Sequence, residues 1–326
     1  MATQPAPSHG TRPPIESFFA TVHLAEPQSH GPFRVWPVVL DDPAASDAEP
    51  PYLPLRTAMA SGAVQVEEVG EGSVPNVRVR NRGKQPVLFL FGEQIVGAKQ
   101  NRVSNASFLI DGESETVIDV SCVEAGRWEE RPVRRFEASE DFAPVGLKAK
   151  MARAVSKSSV TSGASTSGVR FTADQREVWD EIAHSIEVSD AIAPSSAWSD
   201  VAEQTRVRRE DQLAHFPVQP GQVGVVAARH DAVMGLEVVG SPPVYAHHHR
   251  GLLGAFLHEE PDERSVRPLQ PRFIAPEPFL QALLHAPTRS GPSLGLGEDI
   301  RFRIAEVGGC ALAHEGLVHL TAFAQD

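Results

Sequence analysis

Two short polar clusters stand out from the apolar runs around them. The first is Glu93, then Lys99-Gln100-Asn101-Arg102, then Asn105; the second is Ser121-Cys122-Val123-Glu124, running on to Gly126-Arg127-Trp128. Their residue types suggest a site without naming its reaction. Cleavage at an anomeric carbon takes an acid and a base or nucleophile flanking the bond, roughly 5–9.5 Å apart. Glu93 and Glu124 are the candidate pair. Arg102 and Arg127 offer forked donors that match phosphate oxygens, and Lys99 adds a point charge. Asn101 and Asn105 would orient ribose hydroxyls or a carbonyl, with Gln100 in the same ligand-binding stretch, and Trp128 would stack on a base.

Cys122 and Arg127 have C-x4-R spacing, which puts a thiol near a guanidinium, and a reactive thiolate needs such positive surroundings. Each residue also has a structural reading. Glu93 with Arg102, and Glu124 with Arg127, would make a buried polar network that fixes irregular backbone. Cysteine is among the most buried residues, and a structural Cys122 is the stronger reading, because no βαβ pattern precedes it. His247-His248-His249 invites a metal, but consecutive side chains point different ways, whereas helical ligand pairs sit three or four apart. No metal or cofactor is therefore assigned. The chain has no P-loop, no GxGxxG after a strand, no GxSxG, no HExxH and no paired CxxC.

The elements that position these clusters read as follows. Ser107–Ile110 and Thr116–Val120 are strands on either side of Asp111-Gly112, a strong hairpin turn. Such a hairpin would bring the two clusters together at one end of a sheet. Phe33–Leu40, Val64–Val69, Asn76–Arg80 and Pro86–Phe91 are earlier strands. Leu147–Ala154 reads as a short helix. Thr172 with Gln175 fits a capping box ahead of Val178, Ile182 and Ile186. Ser196–Phe216, Pro243–His258 and Pro276–Leu284 are further helices, Gly221–Gly240 is a hairpin turning near His230-Asp231, and Asp299–Phe323 holds three strands. Early strands, then helices, then strands of hairpin spacing predict an α+β fold. Its sheets would be mostly antiparallel, with the helices inserted between the early and C-terminal strands. The predicted organisation is a disordered tail over 1–17 and one composite domain over 18–326. A flexible Ser/Thr/Gly-rich loop spans 155–170.

Composition narrows the function. A formal charge of −12 over 326 residues argues against general nucleic-acid binding. Two cysteines make no disulfide framework, and neither a secretory signal nor a membrane-length apolar run is present, so a cytoplasmic protein is expected.

GEQIVGAKQNRVSN followed by VSCVEAGRW resembles the signature of an uncharacterised family, the ADP-ribosylglycohydrolase- and rhodanese-phosphatase-associated protein domain. The similarity extends through QREVWDEI and VGVVAARHDAVMGLEVVG to LVHLTAF, from about residue 18 onward. It departs from the family pattern at Tyr245–Arg250, YAHHHR. The resemblance implies a place in NAD or ADP-ribose metabolism, beside a separate ADP-ribose hydrolase as a partner. Three readings stand. The first is binding, with hydrolysis or transfer of the ribosyl group, of an ADP-ribose- or NAD-related ligand around residues 92–128. The second is a non-enzymatic binding or scaffold module, and the third a sulfur or phosphoryl transfer through Cys122, whose C-x4-R spacing resembles the active loop of rhodaneses.

Overall fold

The computed structural model describes residues 13–42, 49–50, 52–70, 75–124, 135–161, 171–189, 192–193, 196–258 and 272–325. The chain opens with helix α1 (Pro13–Phe19) and strands β1 (Val22–Leu24), β2 (Gln28–His30) and β3 (Phe33–Leu40). A short β4 (Leu53–Pro54) leads into α2 (Leu55–Ala60). Eight strands follow: β5 (Val64–Glu68), β6 (Asn76–Asn81), β7 (Val87–Phe89), β8 (Glu93–Gly97), β9 (Arg102–Ser104), β10 (Phe108–Ile110), β11 (Ser114–Cys122) and β12 (Phe136–Phe142). Helices α3 (Val145–Thr161), α4 (Gln175–Val188) and α5 (Trp198–Leu213) precede the hairpin β13 (Gln222–Arg229) and β14 (Ala232–Val239). The chain closes with α6 (Pro242–Leu257), α7 (Pro276–His285), β15 (Thr288–Pro292), β16 (Glu298–Arg303), β17 (Val307–Ala313) and β18 (Leu317–Ala324). This is the α+β class, with sheets that are antiparallel apart from the pairing of β4 with β7.

The strands make three sheets. A large one runs β1-β3-β13-β14-β18-β17-β16-β15, with β2 on β3; a second is β10-β7-β4; a third is β12-β8-β9-β11-β6-β5. The closing strands thus join β3 through the β13–β14 hairpin. That hairpin turns at His230-Asp231, both at positive φ, as a tight two-residue turn requires. One face of the large sheet, with Val226, Leu236 and Leu320, packs on Ile15 of α1 and Phe279 and Leu283 of α7. The other face, with Val225, Leu312 and Phe323, packs on Leu147, Val201, Leu252 and Phe256 of α3, α5 and α6. A third core lies within the smaller sheets, around Val77, Val79, Phe89, Ile95, Phe108 and Ile118. Alternation in NVRVRN puts Val77 and Val79 into it and leaves Arg78 and Arg80 on the outer face, paired with Glu115.

Four expectations need correction. Asp111-Gly112 does not close a hairpin, since β10 pairs with β7 whereas β11 pairs with β6 and β9. The turn is a corner between two sheets. Asn81 at the end of β6 donates its side-chain amide to the carbonyls of Ile110 and Asp111, at 3.5 and 2.9 Å. Gly112 then lies against backbone, where a Cβ would be 2.1 Å from the Lys84 carbonyl oxygen. The second correction is at α4, whose cap is Asp174, accepting from the N–H groups of Arg176 and Glu177. Gln175 is drawn away to β11, where its amide brackets Cys122, accepting from the backbone N–H at 2.9 Å and donating to the carbonyl at 2.7 Å. Third, α3 runs on to Thr161, and Val155, assigned to the flexible loop, is fully buried. Residues 162–170 of that loop lie outside the described residues. At the other end, α1 begins at Pro13 and buries Ile15, inside the tail expected over 1–17.

Candidate functional site

The two polar clusters do meet, by a different route from the one expected. Strand β9 pairs directly with β11, setting Arg102 opposite Cys122. The Glu124 carboxylate accepts from the backbone N–H of Asn101 at 3.1 Å, and the Gln100 amide donates to the Glu124 carbonyl at 2.9 Å. The Cys122 thiol points at the same carbonyl, 3.1 Å away. Arg102 donates to Gln100 Oε1 and to the Asn101 carbonyl at 3.3 and 3.4 Å. Its charge partner is Glu68, 3.6 Å away, rather than Glu93. Asn101 accepts from the Gly97 N–H and donates to Ser199, and the Val123 carbonyl accepts from the N–H of Trp198, so the junction is tied to the start of α5. Gln100, Asn101, Arg102, Cys122 and Glu124 are all buried. Asn105 serves elsewhere, donating to the Phe171 carbonyl at 2.8 Å and accepting from Ser121 at 2.7 Å. Lys99 is half-buried in the bend after β8. Arg127 and Trp128 lie outside the described residues.

Glu93 sits in a different setting. It opens β8 opposite Phe142 of β12, and its Oε2 accepts from the N–H of Leu90 at 2.9 Å. It lines a narrow cleft with Arg56 of α2, Ser139, Glu140 and Phe142 of β12, and His247, His248, Arg250 and Gly251 of α6. Gly251 sets the width of the seam, for a Cβ there would meet the Glu140 carbonyl oxygen at 2.4 Å and the Phe142 ring at 2.7 Å. Burial pushes the Glu93 carboxyl up to about 8, outweighing the Leu90 N–H and the charge of Arg56, which pull it down. At neutral pH this carboxyl keeps its proton. Burial and then Arg56 lower His247, and burial with His247, His319 and Arg56 holds His248 well below the usual histidine range, so both rings are neutral. Each keeps a buried Nε2 without a hydrogen-bond partner. The cleft's two arginines are ion-paired, Arg56 with Glu140 and Arg250 with Glu210.

Beneath the cleft floor lies a cluster that the sequence reading missed. Glu237 of β14 takes the Lys148 ammonium of α3 at 2.5 Å and the Thr321 hydroxyl at 2.8 Å on one oxygen, and His319 of β18 at 3.1 Å on the other. The other nitrogen of His319 meets Ser107 at 2.8 Å, and the Ser107 oxygen accepts from the N–H of Phe91. Burial works to raise Glu237, but Lys148 and His319 prevail and hold it below the ordinary carboxylate range. The Lys148 stem packs on Gly92, where a Cβ would be 2.9 Å away, and its ammonium lies 5.4 and 5.6 Å from the Phe91 and Phe142 ring centres. Phe142 is thus shared between the cluster and the cleft. The available signal was a charge inside an apolar strand: Glu237 in VMGLEVV and His319 in LVHLTAF each demand a buried partner.

Residues 21–323 match the ARG and Rhodanese-Phosphatase-superfamily-associated Protein domain. The chain belongs to that family. No curated protein and no solved structure matches it. The family's name links it to ADP-ribosylglycohydrolase-associated proteins and gives neither ligand nor activity. The stretch YAHHHR, on α6, delivers His247 and His248 to the cleft. Among the described residues no group of three or more His, Cys, Asp or Glu is arranged to hold a metal ion. No helix there is long and apolar enough to cross a membrane.

The rhodanese part of the family name directs attention to Cys122. Burial raises its thiol, outweighing the charge of Arg102 that would lower it, and burial pushes Cys310 up to about 11. Both thiols are buried and free. The folded protein is therefore expected to resist maleimide at pH 7 and to take two labels per chain, by intact mass, once unfolded. Labelling of native Cys122 within minutes would restore the sulfur- or phosphoryl-transfer reading.

Proposed function

We propose that the protein binds an ADP-ribose- or NAD-derived ligand in the cleft at Glu93, with Glu93 as the proton donor in hydrolysis or transfer of the ribosyl group. The supporting observation is that Glu93 opens onto a cleft and keeps its proton at neutral pH. A buried carboxyl tuned in this way suits a general acid. Glu140 is the second carboxylate of the same cleft, and the neutral rings of His247 and His248 are candidate bases. Gln100, Asn101, Arg102, Cys122 and Glu124 take a supporting part in this reading, because the bonds described for them run to one another, to backbone, and to Ser199 and Glu68. That inward-turned network is also the observation that favours the second reading, a binding module without bond chemistry.

The test is a thermal-shift panel of ADP-ribose, NAD and AMP with product analysis, on wild type and Glu93→Gln. A ligand at 100 times its dissociation constant adds about 2.7 kcal/mol of stability. Stabilisation by ADP-ribose or NAD is expected in both proteins. Turnover is expected only in wild type, since loss of a general acid costs about 10²–10⁴ in rate. Binding without product in wild type selects the second reading. No stabilisation by any of the three ligands removes both.

A further inference from the structure

The arginines of the cleft carry an additional inference. Arg56 and Arg250 come from different helices, α2 and α6, and both face the same cleft. Each is neutralised by a carboxylate from another element, Glu140 of β12 and Glu210 of α5. These pairs are part-exposed, with side-chain exposures of 32% and 63% in the first and 53% and 36% in the second. Exposed pairs of this kind are worth only about 0–1 kcal/mol and exchange readily. His247 and His248, which also line the cleft, each keep a buried ring nitrogen without a hydrogen-bond partner.

We propose that Arg56 and Arg250 form a seat for a phosphate monoester or diphosphate, which Glu140 and Glu210 occupy as internal stand-ins until the ligand displaces them. Guanidinium forks bind phosphate oxygens bidentately and more strongly than they hold an exposed carboxylate. A phosphate seated between the two arginines leaves its alcohol or sugar portion facing Glu93 and His248. The inference deepens the reading above and rests on it for the choice of cleft, but it requires neither ADP-ribose nor turnover.

Inorganic pyrophosphate is the probe, titrated at low ionic strength into wild type, Glu140→Gln and Arg250→Gln by calorimetry. Wild type should bind it. Glu140→Gln should tighten binding about two- to fivefold, the release of one exposed ion pair. Arg250→Gln should weaken binding tenfold or more, with its thermal unfolding confirming a folded protein. No binding by wild type, or binding that neither substitution changes, overturns the seat, as does weaker binding by Glu140→Gln. Pyrophosphate binding with the expected substitution pattern, together with no response to ADP-ribose or NAD, keeps the seat and discards the ribosyl ligand. Response to ADP-ribose that is indifferent to both substitutions does the reverse.

Discussion

Lys148→Met is expected to destabilise the protein by about 3–5 kcal/mol, the usual consequence of removing one partner from a buried ion pair. Lys148 and Glu237 are both essentially inaccessible to water. Methionine matches the length of the lysine stem, so the space against Gly92 and the Phe91 and Phe142 rings stays filled. What is lost is the ammonium, and Glu237 is left ionised with only Thr321 and His319 as donors. Its carboxyl should then rise toward or above its ordinary range, since the charge that outweighed burial has gone. Urea unfolding measures the loss. A drop below 1 kcal/mol would mean that the pair is not desolvated as described. The double variant Lys148→Met with Glu237→Gln should recover part of the loss, because an amide still bonds to Thr321 and His319 without a stranded charge.

Glu93→Gln should change stability in the opposite direction and make it less dependent on pH. The unfolded carboxyl titrates near 4.5 and the folded one near 8, so folding takes up a proton between those values. Below 4.5 both states hold the proton and the residue adds no penalty. As pH rises the wild type loses about 1.4 kcal/mol per unit, and above 8 the penalty is complete at about 5 kcal/mol. Glutamine mimics the protonated form and can still accept from the Leu90 N–H. Relative to wild type the variant should be equal near pH 4.5, more stable by about 3 kcal/mol at pH 7, and most favoured above pH 8. Denaturant midpoints of the two proteins across pH 4.5–8.5 give the difference curve. A flat difference would show that Glu93 ionises freely in the fold, and would also remove it as a proton donor at neutral pH.

Much of the architecture was legible because period-two and period-3.6 patterns report local burial directly. Phe33–Leu40 has the bounds read from the sequence, and the helices around 242–257 and 276–285 differ by a residue. What escaped was pairing between strands. Asp111-Gly112 is as good a hairpin turn as a sequence offers, yet the partners of β10 and β11 were chosen by Asn81 and Lys84, some thirty residues away along the chain. The two polar clusters were read as one candidate site, and β9 joins residues 100–102 of the first to residues 122–124 of the second. Their division into a buried junction and a cleft-facing acid was not legible, because burial depends on which helix covers each end of β8. Nothing local to Glu93 announces that α6 will lie over it, or that Gly251 will let it approach so closely.

The pairing of β3 with β13 has a consequence for how the chain is made. The chain from Leu40 to Gln222 separates these neighbours, which stand second and third in the order of the large sheet. During synthesis β3 emerges long before its partner exists, carrying Phe33, Val35 and Val38 with an unmatched edge. The smaller sheets, whose strands follow one another closely between residues 53 and 142, can close first. Folding should therefore be slow and ordered, as expected when distant segments must find each other. A nascent chain stalled before residue 222 would hold a sticky strand in want of a chaperone.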